Sequence, residues 1–81
     1  MTKEQQFIIE VIEKIDKVLQ ILDNERVVTF FEHYRHFDIV IREEDKFVSY
    51  CITHERCKNE DVNKIVSFIV CQYLVYPPKT N

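Results

Sequence analysis

The sequence predicts an α+β domain, a three-stranded antiparallel meander flanked by an N-terminal and a C-terminal helix in the order αβββα. Three observations carry that prediction. Apolar residues recur at steps of three and four over residues 3–22 and again near 60–75, the period of a helix with one buried face. Residues 26–54 instead alternate with a period of two. If Phe30 is set opposite Ile39 and Val28 opposite Ile41, then Ile39 opposite Tyr50, Ile41 opposite Val48 and Phe37 opposite Ile52, every one of these side chains falls on the same side of a single sheet.

The first helix starts at Thr2, whose spacing to Gln5 is that of a capping box. Ile8, Val11, Ile15, Val18 and Leu22 form its stripe, widened by Phe7, Ile12 and Leu19, and Glu10, Glu13, Lys14, Asp16, Lys17 and Gln20 take the other side. The same spacing suits a short coiled-coil seam shared with a second helix. Asp23, Asn24 and Glu25 make the connection. Val27–Glu32, β-branched and aromatic, reads as the first strand, although Val27, Phe30, Phe31 and Tyr34 also fit one face of a helix capped by Asn24.

Phe37–Arg42 and Phe47–Thr53 are the other strands, joined by the polar loop from Glu43 to Lys46. Arg56–Lys58 reads as a loop, and Asn59, Glu60 and Asp61 as the start of the last helix. Val62, Ile65, Val66, Ile69 and Tyr73 line one face of that helix. Phe68, Val70, Leu74 and Val75 spill around it, which predicts burial on more than one side, with Cys71 in the core. Pro77 and Pro78 end it, and Lys79–Asn81 should fray.

Eighty-one residues suit a single domain, 1–81, with a core small enough that only ~60–65% of the unfolded surface is buried. Gly, Ala and Trp are absent. Lack of Gly rules out a P-loop or dinucleotide fingerprint and argues against two-residue hairpin turns of the primed types. The missing residue types have GC-rich codons, which fits an AT-rich coding sequence such as that of a virus or mobile element. The net charge of −3 and pI near 5.5 disfavour a phosphate-binding surface. The N-terminus lacks the pattern of a signal peptide, and the longest apolar run, 69–75, is broken by Gln72 and too short for a membrane span. With three cysteines in no framework spacing, the expectation is a soluble, cytoplasmic protein with free thiols and no cofactor.

The outward side of the sheet would carry Val27, Thr29, Phe31, Asp38, Val40, Arg42, Phe47, Ser49 and Cys51, too apolar a set to be left in water. The expected function is accordingly that of a small non-enzymatic interaction module, a regulator, adaptor or inhibitor. It would bind another protein and itself, dimerising through the outer face or the first helix. Contact residues would be Val27, Phe31, Val40 and Phe47, with Glu43, Glu44 and Asp45 as an acidic edge able to imitate phosphate. A nucleic-acid binder using Arg26, Arg35, Arg42, Arg56, Lys58 and Lys64 is the alternative.

A third reading is a zinc site of His33, His36, His54 and Cys57, which the meander gathers at one end of the sheet, where His36 faces Thr53. Cys51 or Cys57 as a nucleophile, oriented by Asp38 or Glu55, lacks the glycine-lined turn and pocket that such chemistry uses, so no enzymatic activity is expected. The element order resembles the topology of double-stranded-RNA-binding domains. That family has a basic cluster where its last helix begins; this chain has Asn59-Glu60-Asp61 there, with only Arg56, Lys58 and Lys64 nearby.

Overall fold

A computed structural model describes residues 1–22 and 25–78; the connection at Asp23 and Asn24, including the Asn24 cap, and the tail Lys79–Asn81 lie outside the described residues. The chain runs α1 (Lys3–Gln20), β1 (Val27–Glu32), β2 (His36–Glu43), β3 (Lys46–Thr53), α2 (His54–Asn59) and α3 (Val62–Val75). The strands form one antiparallel sheet in the order β1-β2-β3. Its register sets Phe30 against Ile39 and Val28 against Ile41, then Ile39 against Tyr50 and Phe37 against Ile52. The meander is therefore an α+β arrangement with the expected facing side chains. Residues 27–32 are strand, not helix, because only the extended form turns Val28 and Phe30 toward the core together.

Thr2 caps α1 with both halves of the capping box: its hydroxyl accepts from the Gln5 N–H at 3.1 Å, and the Gln5 side chain accepts from the Thr2 N–H at 2.9 Å. Ile8, Val11, Ile15 and Leu19 are buried against Phe37, Ile39, Ile41 and Ile52 of the sheet and Ile65, Val66, Ile69 and Tyr73 of α3. The stripe ends on Leu19, leaving Val18 and Leu22 partly exposed. Ile8, Val11, Ile15 and Leu19 of the α1 stripe are thus used inside the monomer.

Arg56–Lys58, expected as a loop, belongs to α2. Thr53 caps this short helix, accepting from the Arg56 N–H at 3.1 Å. The cap of α3 is Asp61, which accepts from the Asn63 N–H, so that helix starts two residues later than expected. The expectation that α3 is covered on several sides does not hold: Phe68, Leu74 and Val75 are exposed, and Cys71 lies outside the core.

Both hairpins are tight. The first turns through Tyr34 and Arg35, with the His33 N–H donating to the His36 carbonyl at 2.8 Å. The second turns through Glu44 and Asp45, with Glu43 paired to Lys46 and Glu44 at φ 51°. A positive φ at the first central residue is what lack of Gly argued against; Glu44 adopts it because the strands on both sides are held in register. No described helix is long and apolar enough to cross a membrane.

Candidate functional site

All helices that reach the core do so from the inner side of the sheet, and the period-two alternation places three rows of side chains on the other side. Val27, Arg42 and Phe47 form one row, Thr29, Val40 and Ser49 the middle row, and Phe31, Asp38 and Cys51 the third. Val27, Phe31 and Phe47 are 60, 59 and 64% exposed. Val40 is half-buried among its neighbours at the centre. The four apolar residues expected to contact a partner thus share one open surface.

Of the acidic edge residues, Glu44 and Asp45 project from the turn, whereas Glu43 is committed inside the protein. The Tyr73 hydroxyl donates to Glu43 Oε2 and accepts from Arg26 Nε at 2.7 Å, and Arg26 Nη2 lies 3.8 Å from Glu43 Oε1. Arg26 also donates to the Leu19 carbonyl and lies over the Tyr73 ring at 5.2 Å. Burial, and the donation to Glu43, push the Tyr73 phenol up to about 12. Sequence periodicity marked Tyr73 only as a core position; nothing local to it announces partners on β2 and at residue 26.

The cations considered for nucleic acid do not assemble. Arg26 keeps only 7% of its side chain in solvent. Arg35 lies in the first turn beside the Tyr34 ring, and Arg42 at the far end of β2. Arg56 pairs with Glu60 and covers the Phe68 ring, Lys64 lies 3.7 Å from Glu60, and Lys58 3.8 Å from Glu4. The Arg56 hydrogen bond holds the Glu60 carboxyl below its ordinary value and raises Arg56 in return.

The histidine cluster is divided by the sheet. His33 and His36 are cross-strand neighbours on the outer side, their rings stacked with centroids 4.5 Å apart. His33 Nε2 is 2.9 Å from Asp38 Oδ2, and His36 Nε2 is 3.5 Å from Asp38 Oδ1. His54 is on the inner side, against the Phe37 ring at 4.6 Å and 3.8 Å from Glu32. Cys57 is buried in the core, and desolvation pushes its thiol up to about 11, far from the thiolate a metal or a nucleophile needs.

The set His33, His36, His54 and Cys57 therefore does not converge: strand parity puts His33 and His36 on the outer side, and α2 carries His54 and Cys57 over the inner side. Asp38 takes their place, and among the described residues His33, His36 and Asp38 alone group with metal-ligand spacing. The legible signal was His-x2-His-x-Asp spanning a tight turn. Comparison with protein-family models, curated proteins and solved structures finds no match.

Proposed function

We propose that this protein is a non-enzymatic interaction module that associates with a second copy of itself, outer sheet face against outer sheet face. The observation that carries this is the exposure of Val27, Phe31 and Phe47 around Val40 on one regular surface. The charges argue for a second copy as the occupant. Asp38 and Arg42 lie on β2 on either side of Val40. A two-fold axis in the plane of the interface, perpendicular to the strands and passing over the Val40 row, sets each Asp38 above the partner's Arg42. It also sets each Phe31 above the partner's Val27, and Cys51 above Phe47. An axis parallel to the strands would oppose like charges, so the surface is self-complementary in one orientation.

Area sets the strength. Three strands ~4.8 Å apart and about seven residues at ~3.3 Å each cover roughly 300 Å² in projection. Allowing for side-chain relief, about 1,000 Å² in total would be buried, the lower end of specific interfaces. A reversible dimer with a dissociation constant of order micromolar follows.

Sedimentation velocity across the micromolar range tests this. Wild type passes from monomer to dimer, and Phe47→Asp stays monomeric. Asp38→Arg and Arg42→Asp each weaken association, and the double exchange restores it. Leu74→Asp, on the exposed apolar side of α3, has no effect. Association that survives Phe47→Asp, or is lost in Leu74→Asp, rejects the proposal.

A further inference from the structure

We infer that His33, His36 and Asp38 form a binding site for a divalent transition metal of the zinc class, built on the β1–β2 turn. The geometry comes from the hairpin. His33 and His36 face each other across the two-residue turn, and Asp38, two residues beyond His36, lies on the same side of β2. Both imidazoles direct Nε2 at one carboxylate, and the three candidate ligand atoms lie within 4.8 Å of one another.

For metal–ligand bonds of ~2.0–2.1 Å, neighbouring ligands of a tetrahedral zinc are about 3.3 Å apart. The separations of 2.9 Å from His33 to Asp38 Oδ2 and 3.5 Å from His36 to Oδ1 are close to that value, and a small rotation of the carboxylate presents one oxygen to an ion between the rings. The two imidazoles, stacked 15° from parallel, tilt toward each other on binding so that both in-plane lone pairs meet at the ion.

The donor set selects the ion. Two neutral imidazoles with one carboxylate suit zinc and its neighbours, whereas magnesium and calcium prefer all-oxygen sites. Three protein ligands leave a fourth tetrahedral position for water. The site is also held in place before any ion arrives. The His33 N–H to His36 carbonyl bond closes the turn, and the His54 N–H donates to the Arg35 carbonyl at 3.0 Å, tying the turn to the end of β3. Little backbone ordering is left to oppose binding. A single carboxylate in a surface setting keeps the affinity modest, in the micromolar range.

Calorimetric titration of the purified, untagged chain with zinc chloride tests the inference, with cobalt as a spectroscopic probe. One zinc binds per chain, and cobalt shows the visible absorption of four-coordinate geometry. His33→Ala, His36→Ala and Asp38→Asn each weaken zinc binding by at least about tenfold and abolish the cobalt spectrum. His54→Ala leaves both intact, and a large excess of magnesium does not compete. Circular dichroism checks that each variant is folded; these side chains are outside the core. No saturable binding, or equal affinity in wild type and the three ligand variants, overturns the inference. Asp38 is shared with the proposed dimer contact, so Phe47→Asp, at the opposite end of the face, is the variant that separates the two: it loses self-association and retains zinc binding.

Discussion

The Tyr73→Phe substitution isolates a polar network that ties α3 to the sheet. The change removes only the hydroxyl oxygen, which accepts from Arg26 and donates to Glu43, and leaves the ring packed with 2% of its surface exposed. Hydrogen bonds to charged groups contribute about 1.5–3 kcal/mol each. Glu43 is 28% exposed and recovers water as a partner, whereas Arg26 is nearly enclosed and keeps only its other contacts. A net cost of about 2 kcal/mol follows at neutral pH, near a quarter of the ~8 kcal/mol expected for a domain of this size. The melting temperature should fall by roughly 8–16 °C.

The pH dependence gives a second, independent reading of the same hydroxyl. Its folded value, about 12, lies above the ordinary phenol value of 10.0. Both states are protonated at neutral pH, and as pH rises past 10 the unfolded chain ionises first. The stability tied to keeping this phenol neutral is thus present below 10 and lost between 10 and 12, up to about 2.7 kcal/mol for a shift of two units. Urea denaturation at a series of pH values, followed by circular dichroism, measures both effects. Wild type should lose that increment across the alkaline limb, and Tyr73→Phe should start lower and lose about 2–3 kcal/mol less. A variant within 0.5 kcal/mol of wild type at neutral pH, or with the same alkaline slope, would refute the network as described.

Other consequences can be checked separately. Glu44→Gly should raise stability by roughly 0.5–1 kcal/mol in chemical denaturation, since Gly removes the cost of φ 51° while adding freedom to the unfolded chain. Ile39→Ala should cost about 3–4 kcal/mol, and its neighbour Val40→Ala less than about 1 kcal/mol in the monomer. Reversed costs would mean a register shifted by one residue. Maleimide titration of the folded protein should modify Cys51 and Cys71 rapidly, and Cys57 only on unfolding, because the latter is enclosed and its thiol held protonated.

The parts of the fold that were legible depend on a single period each. Strand parity placed Phe37, Ile39, Ile41 and Ile52 together because a strand has only two sides, and a mistaken register would have exposed all of them. The start of α1 followed from the Thr2–Gln5 pair in the same way, while the helix ends at Gln20, two residues short of the end its stripe suggested. Helices have no such binary rule, and there the reading went astray. The run from Val62 to Val75 marked the right face, with Ile65, Val66, Ile69 and Tyr73 buried, but its apolar flanks give no limit to burial, so Phe68, Cys71 and Leu74 were assigned to a core that does not extend to them. The short α2 was hidden because Thr53 serves both as the last residue of β3 and as the cap of the next helix.

What the sequence determined alone is the alternation of the meander and the apolar character of its outer side, since both follow from the order of residues along extended strands. Which titratable groups meet was decided by tertiary structure. His54 and Cys57 are close to His36 in the topology yet pass to the inner side, and Glu43 leaves the acidic edge for Tyr73 and Arg26, whereas strand alternation alone set Asp38 on the outer side. Side-chain direction at a turn or helix start depends on packing from distant elements, and no local pattern encodes it.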